Sequence, residues 1–241
     1  MLSALVVVPT YNERESLPSV VEQLLAVDEN VTVLIVDDAS PDGTGKIADA
    51  LAATEERVSV LHRSTKQGLG TAYLAGFEEA LQRGVDAVVE FDADGSHQPE
   101  QLPALLAALA DGADLVIGTR WMKGGRVENW PRRRRWLSKN GTRYARFMLR
   151  SKLRDITSGY RAVRVDALRD LHLESLHSHG YCFQIELAWR LERAGRRVDE
   201  VPITFVERRS GASKMSTGVV VEAMWLVTKW GLTRRPARRP A

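Results

Sequence analysis

The stretch DAVVEFDADGSHQPEQLPALLAALADGADLVIGTR, residues 86–120, decides the fold. An apolar run ends in acidic and turn residues, a helix is predicted over PEQLPALLAALADG, and ADLVIGTR is a second apolar run. Continuous apolar strands that alternate with helices are typical of a mostly parallel sheet whose two faces are both covered. In such sheets, ligands bind beyond the carboxyl ends of the strands.

The same alternation runs back to the start of the chain. Apolar runs in ALVVVPT, VTVLIVD and VSVLHR are each followed by a segment with helical spacing of its apolar residues. The second half is less regular. A loop and a helix are predicted over 121–155, followed by a turn, a strand and a helix. A further helix is predicted to end at Gly195, and after it comes a strand that is followed by polar residues. The predicted class is α/β, with a mostly parallel sheet and helices on both faces.

Composition places the chain among globular proteins. It has 241 residues, of which 44% are hydrophobic and 27% charged. This length suits one large domain, or one domain with an appendage. The single cysteine, Cys182, excludes an internal disulfide. We expect neither a signal peptide nor a transmembrane helix.

Basic residues are concentrated in one region although the net charge is only +3. From Arg120 to Arg154 there are 13 Lys and Arg residues against one acid, Glu128, and four more arginines lie in the tail from 234 to 239. This segregation favours an anionic partner, such as a phosphate, a nucleic acid or an acidic membrane surface. The alternative is a solvated helix face.

Asp92 and Asp94 follow the apolar run that ends at Phe91. If the strand continued through them, residues i and i+2 would point to the same side, and two close carboxylates call for a cation between them. Carboxylate oxygens suit Mg²⁺ or Mn²⁺, which take one or two carboxylates plus substrate phosphates. The alternative is that Asp94 or Ser96 caps the helix that begins near Pro99.

Other polar positions give weaker signals. Asp37 and Asp38 end a neighbouring strand and could accept hydrogen bonds from a base or ribose, or form a turn before Pro41. The loop KQGLGTA, residues 66–72, could approach a phosphate. The five histidines lack metal-ligand spacing, and no nucleophile-base arrangement is readable.

Several motifs together resemble a family. They are VVVPTYNERESLP, VLIVDDASPDGT, GLGTAYLAGF, DADGSHQPE, GTR, TSGYRA, GYCFQIEL and RRSGASKMS. The chain resembles, from about Val6 to Lys214, a GT-A-fold, family 2 glycosyltransferase of the dolichyl- or polyprenyl-phosphate mannosyltransferase type. The resemblance implies a GT-A, Rossmann-like fold.

The resemblance also implies site residues. Asp92, Ala93 and Asp94 form a D-x-D element that contacts the donor and its Mg²⁺ or Mn²⁺, with Ser96 where some relatives carry a glutamine ligand. Arg120 would lie near the donor and acceptor phosphates. The guanine nucleoside of GDP-mannose would be held by Pro9, Tyr11, Glu13, Ile35 and Asp37. Arg134 and Ser138 would meet the acceptor phosphate, and Arg208 and Lys214 would close over the diphosphate.

The implied reaction is transfer of mannose from GDP-mannose to a polyprenyl or dolichyl phosphate, with inversion at the sugar carbon. One guanidinium group can bind two oxygens of a phosphate at once, so a cluster of arginines suits two phosphate-bearing substrates. A phosphate monoester is largely dianionic at pH 7, so no general base is nominated.

A lipid acceptor implies contact with a membrane. Residues 1–215 are predicted to form the catalytic domain, and residues 216–241 an amphipathic helix and basic tail. Val220, Met224, Val227 and Gly231 share one side of that helix. The alternative is a helix packed on the domain. We expect a peripheral protein on the cytoplasmic face of a membrane. The alternative is that the chain relies on a membrane-protein partner.

Two other functions fit parts of the sequence. One is a different lipid-phosphate glycosyltransferase, for example one that uses UDP-glucose. The other is a non-catalytic nucleic-acid-binding module built on the basic stretch, where aromatic residues are interleaved with arginines. Acidic strand ends would repel a nucleic acid backbone, so we predict no nucleic acid partner.

Overall fold

The architecture comes from a computed structural model of the chain. The structure describes residues 2–171, 173, 176, 181–207 and 217–233. The predicted diphosphate residues Arg208 and Lys214, and the arginines of the tail, lie outside the described residues.

A seven-stranded sheet forms the centre of the molecule. Its strands are β1 Ala4–Thr10, β2 Val31–Asp37, β3 Val58–His62, β4 Ala87–Glu90, β5 Leu115–Thr119, β7 Arg161–Arg164 and β8 Val198–Pro202. Their order across the sheet is β3-β2-β1-β4-β7-β5-β8. Every pairing in the sheet is parallel except those of β7, which runs antiparallel to both β4 and β5. The predicted mostly parallel sheet is confirmed.

Helices cover both faces of this sheet. They are α1 Leu17–Leu25, α2 Thr44–Thr54, α3 Leu69–Arg83, α4 Leu102–Ala110, α5 Arg132–Leu149, α6 Val165–Arg169, α7 Tyr181–Arg193 and α8 Thr217–Leu232. Buried residues of α1, α2 and α4 join the core on one face, and those of α3, α5, α6, α7 and α8 join the core on the other.

The strand β1 shows why the sequence builds two cores. All of Ala4 to Val8 are fully buried, with Leu5 and Val7 in one core and Ala4, Val6 and Val8 in the other. Successive side chains of a strand point to opposite faces, so a strand buried on both faces has a continuous apolar run rather than an alternating one. This is the pattern on which the sequence prediction rested.

A second, two-stranded sheet was not predicted. It pairs β6 Arg126–Glu128 in parallel with β9 Thr204–Val206. Only Val127 of β6 is buried, so the strand carries too short an apolar pattern to be distinguished from a loop. This small sheet holds the segment after β5 against the segment after β8.

The helix α8 is present as predicted, but Met224 and Val227, which were expected to share one side, differ in burial. Val227 and Gly231 are buried against the domain, and the Tyr144 hydroxyl of α5 lies 2.5 Å from the Thr228 hydroxyl. Met224, expected on the same side as Val227, is 48% exposed. The helix therefore packs on the domain through one face, as in the alternative. The residues from 208 to 216 are not described, and the domain boundary at 215 stays a prediction.

The same helices bear exposed apolar side chains. Trp136 and Phe147 of α5 and Val221, Trp225 and Leu232 of α8 are all at least 60% exposed. No helix within the described ranges combines the length and apolar character needed to cross a membrane.

Candidate active site

The site lies where the parallel strands β1, β2, β4 and β5 end. Carboxyl ends of parallel strands meet at one edge of a sheet, which brings together the residues after each of them. Asp37 ends β2, Asp92 follows β4 and Arg120 follows β5 directly.

The acidic turn, residues 92–96, differs from the geometry expected from the sequence. β4 ends at Glu90, so Asp92 and Asp94 do not lie on an extended strand, and that reason for their convergence was wrong. Asp94 Oδ1 instead accepts the backbone N–H of Ser96 at 3.0 Å, as the turn alternative required. Asp92 Oδ1 accepts the hydroxyl of Tyr73 at 3.3 Å. Burial raises the pKa of Tyr73, and the charges of Asp92, Glu90 and Asp94 raise it further.

The residues of this turn fit a divalent cation that substrate would help to hold. Asp92 and Asp94 are both partly exposed. No group of three or more His, Cys, Asp or Glu side chains in the described ranges is placed to hold a metal. The described residues thus do not coordinate a metal ion by protein ligands alone. Two carboxylates, together with phosphate oxygens of a substrate and water, suit Mg²⁺ or Mn²⁺. Ser96 is buried and its hydroxyl has no hydrogen-bond partner among those residues, so its predicted ligand role stays a prediction.

Asp37 is engaged by the protein itself. Its carboxylate accepts the hydroxyl of Thr10 at 3.0 Å, and both the hydroxyl and the N–H of Ser40, at 2.6 and 3.1 Å. These contacts match the turn alternative. They tie the end of β1 to the end of β2 and hold Ala39 at a φ of +56°. Its predicted contact with the nucleoside stays a prediction.

The other predicted nucleoside residues lie on or just after β1 and β2. Pro9, Tyr11 and Glu13 are half-buried around the end of β1, whereas the side chain of Ile35 is fully buried in the core. The Nζ of Lys66 lies 3.7 Å from the centre of the Tyr11 ring. A cation over an aromatic face is attractive, so this pair forms one side of the site.

The glycine-containing loop before α3 is held by an acid. Asp38 Oδ2 accepts the N–H groups of Gln67 and Gly68 at 3.2 and 3.1 Å, and Asp38 Oδ1 lies 2.7 Å from Arg63. A carboxylate already occupies the amides that a phosphate would use. These contacts give Asp38 a structural role.

Arg120 is buried rather than open to solvent. Asp155 binds its guanidinium through two oxygens, with Nε–Oδ2 and Nη2–Oδ1 distances of 2.7 and 2.8 Å. The rings of Trp121, Trp130 and Phe205 surround it, with centres 5.5, 5.3 and 5.5 Å from the guanidinium carbon. We call these three rings the aromatic box. The predicted contact of Arg120 with substrate phosphates stays a prediction.

Arg134 and Ser138 lie on one side of α5, four residues apart, and are half-buried while Arg132, Arg133 and Arg135 are exposed. The guanidinium of Arg134 pairs with the Glu207 carboxylate and lies 4.3 Å from the Trp130 ring centre. A carboxylate therefore already occupies the guanidinium that was predicted to bind a phosphate. Trp121 and Trp130 are packed together here, so they do not form the open stacking surface that single-strand nucleic acid binders use.

Buried polar side chains lie where β4 ends and β7 begins, next to the acidic turn. Glu90 and Arg161 are fully buried partners across β4 and β7, and Gln184 Nε2 donates to Glu90 Oε2 at 3.2 Å. Arg161 also donates to the carbonyls of Ile156, Ser158 and Gln184. Burial raises the pKa of Glu90, and the charge of Arg161 opposes this effect. The net result is a pKa of about 7 against an ordinary value of 4.5.

The sequence alone did not identify several residues that shape the site: Lys66, Tyr73, Glu90, His97, Asp155 and Glu207. Asp155 had one available signal, since it is the first acid after a long basic stretch. Glu90 is the last residue of β4, and the remaining four sit on helices or loops that only the tertiary structure brings to the strand ends.

Comparison with known proteins shows the family to which the chain belongs. The family model described as "Glycosyl transferase family 2" matches residues 5–172. An undecaprenyl-phosphate mannosyltransferase of Micrococcus luteus is 55% identical over 97% of this chain and 96% of its own length. A polyprenol monophosphomannose synthase of Mycolicibacterium smegmatis is 53% identical over 96% of this chain and 88% of its own length.

Solved structures share the fold at low sequence identity. The glucosyl-3-phosphoglycerate synthase of Mycobacterium tuberculosis, solved with phosphoglyceric acid, has a TM-score of 0.72 and 20% identity over 95% of this chain and 80% of its own. A mannosyltransferase of Pyrobaculum calidifontis, solved with GDP-Man and Mn²⁺, has a TM-score of 0.59 and 19% identity over 88% of this chain and 58% of its own. The family model, the relatives and the fold agree: this chain belongs to glycosyl transferase family 2.

Proposed function

We propose that this chain transfers mannose from GDP-mannose to a polyprenyl phosphate, with inversion at the sugar carbon, and releases GDP. The observation that carries the proposal is the similarity, over nearly the whole chain, to an undecaprenyl-phosphate mannosyltransferase and a polyprenol monophosphomannose synthase. The GDP-Man and Mn²⁺ in a structural neighbour support the choice of donor and cation.

The donor would bind at the edge of the sheet where the parallel strands β1, β2, β4 and β5 end. Asp92 and Asp94 would bind Mg²⁺ or Mn²⁺ together with the donor diphosphate, and the cation would offset the charge that develops on the leaving GDP. Tyr11 and Lys66 border the same edge and would flank the nucleoside. Arg208 and Lys214 would close over the diphosphate, as the resemblance implies.

The acceptor would bind beside the arginine-rich helix α5. Arg134 and Ser138 share one side of α5, and a lipid phosphate there would compete with Glu207 for the Arg134 guanidinium. A dianionic phosphate needs no proton removed before it attacks the sugar carbon. The residues of the site therefore have only to position two phosphates and stabilise charge.

A membrane surface is the proposed location, on its cytoplasmic face. Trp136 of α5 and Trp225 and Leu232 of α8 are exposed, α5 also carries a run of arginines, and the two helices are in contact. Apolar rings next to cationic groups suit the boundary between headgroups and acyl chains. The basic tail beyond residue 233, and any membrane-protein partner, belong to the same proposal.

The test is transfer of radiolabelled mannose from GDP-mannose to a short polyprenyl phosphate, measured with Mg²⁺, Mn²⁺ or a chelator, and with UDP-glucose as a competing donor. We expect label in the organic phase only with GDP-mannose and a divalent cation. Asp92→Asn and Asp94→Asn should each abolish it, whereas Asp111→Asn, an exposed acid at the end of α4, should not. Label from UDP-glucose alone would replace mannose in the proposal with glucose.

A further inference from the structure

His97 lies buried beside the acidic turn. Its side chain is 1% exposed, and its Nδ1 accepts the backbone N–H of Asp92 at 3.1 Å. It belongs to no motif with metal-ligand spacing, and the mechanism above does not use it.

The hydrogen bond from Asp92 defines the form of the ring. A nitrogen that accepts an N–H carries no hydrogen of its own, so in the neutral imidazole the hydrogen is on Nε2. His97 therefore presents one N–H donor, at Nε2.

That donor has no hydrogen-bond partner in the described part of the chain. Asp92 Oδ2 lies 3.7 Å from Nε2, just beyond hydrogen-bond distance. A buried donor without a partner is costly and rare, which makes it a feature to explain. Hydrogen bonds of active sites are often long in the free protein and shorten in the loaded complex.

Aromatic neighbours hold the ring in this position. Tyr160 stacks on His97 with ring centres 4.9 Å apart, and Phe91 and Phe205 meet it edge-on at 5.4 and 5.6 Å. The neighbours come from the end of β4, the segment before β7, and β9. A ring packed on three sides cannot rotate away, so the Nε2–H has a fixed direction.

We propose that His97 is a positioning residue for Asp92. Its Nε2–H completes a hydrogen bond to Asp92 Oδ2 when that carboxylate turns onto the divalent cation, and so fixes the orientation of the carboxylate. Histidine and carboxylate groups outside the ligands themselves commonly orient ligands in this way. The inference rests on the cation site of the proposed function.

Three substitutions separate this role from simple packing. In His97→Asn the side-chain oxygen can still accept the Asp92 N–H, but no donor reaches the Nε2 position. In His97→Gln the amide nitrogen reaches that position and keeps the donor. In His97→Phe the ring volume and stacking remain, and both polar functions are lost.

The measurement is Mn²⁺ affinity in the presence of GDP, followed by electron paramagnetic resonance of free Mn²⁺, with a thermal melt of each variant. We expect His97→Asn and His97→Phe to bind Mn²⁺ about 10- to 100-fold more weakly than the parent. His97→Gln should recover most of the affinity. His62→Asn is the matched control, since it removes the His62–Asp49 pair on the surface, and it should bind as the parent does.

Two outcomes would overturn the inference and can be told apart. Equal Mn²⁺ affinity in the parent and a cooperatively melting His97→Asn or His97→Phe variant would leave His97 a packing residue only. If the parent itself bound no Mn²⁺ with GDP, the cation site would fail, and the role of His97 with it.

Discussion

The carboxylate of Asp155 binds both the side chain and the backbone N–H of Arg120. The carboxylate receives two bonds from the guanidinium, and its Oδ2 also accepts the Arg120 N–H at 3.0 Å. Both side chains are buried. The direction of Arg120 at the end of β5 is therefore determined by a residue from the loop before β7.

Breaking this pair should be costly. Asp155→Ala leaves a guanidinium buried without its counter-charge, which typically destabilises a protein by about 3–5 kcal/mol. We expect a loss of that size in urea denaturation. Glu79→Ala, which removes the half-exposed Arg83–Glu79 pair on α3, should cost about 0.5 kcal/mol or less. Similar losses in the two variants would contradict the structural role given to Asp155.

Gly76 brings α3 close to β1. A Cβ at this position would lie 2.4 Å from a methyl carbon of Val7, so Gly76→Ala should force the helix outward and cost about 1–3 kcal/mol. At Gly141, in α5, a Cβ would meet nothing within 4 Å. Gly141→Ala should be neutral or stabilise by up to about 1 kcal/mol. Thermal and urea denaturation of both variants would check the contrast, and a neutral Gly76→Ala would refute the close packing.

Glu90 should make stability depend on pH. With a folded-state pKa of about 7 against an ordinary 4.5, the folded protein keeps a proton that the unfolded chain has released. Its contribution to stability is thus full below about pH 4.5 and is lost as pH rises through 7, by about 1 kcal/mol per pH unit. The facing groups are Arg161, Gln184, Asp92 and Tyr73.

The measurement is urea denaturation of the parent and Glu90→Gln at several pH values between about 5 and 8. The variant keeps an amide in place of the carboxyl and cannot titrate. We expect the parent to lose stability relative to the variant as the pH rises. Parallel curves for the two proteins would show that Glu90 titrates alike in both states.

Cys182 should be chemically silent in the folded protein. It is 2% exposed, and burial raises the pKa of its thiol to about 12. Because the thiolate is the reactive form, a thiol reagent at about pH 8 should label the native protein far more slowly than the protein in urea. Rapid labelling without denaturant would contradict the burial of the amino-terminal part of α7.

The sheet was predictable because its strands are buried on both faces. Continuous apolar runs such as that of β1 differ clearly from the periodic pattern of the helices. The positions of Asp37, Asp92 and Arg120 at the ends of such runs predicted that they lie at the same edge of the sheet. The direction of β7 was not predictable, since RAVR has the same pattern in either direction. Its antiparallel placement follows from long-range packing between β4 and β5.

Contacts within the site were less predictable than its location. Residue types indicated phosphates and a cation, but they did not show that Asp37, Asp38 and Arg120 would each be bound by other parts of the protein. A carboxylate has the same sequence signature whether it meets a ligand or a neighbouring N–H. The local spacing of α8 placed Met224 and Val227 on one side, yet only Val227 of the two is buried. The position of α5 determines which side of that helix is covered.

The place of β7 in the sheet has a consequence for synthesis on the ribosome. β4 and β5 are not neighbours, so the strands that precede Asp92 and Arg120 stay unjoined until residues 161–164 have left the exit tunnel. Until then, β4 has one open edge and β5, whose partners in this sheet are β7 and β8, has two. Open strand edges are prone to pair with other chains. The acidic and basic parts of the site are thus assembled together and late, by a strand that carries no predicted substrate-binding residue.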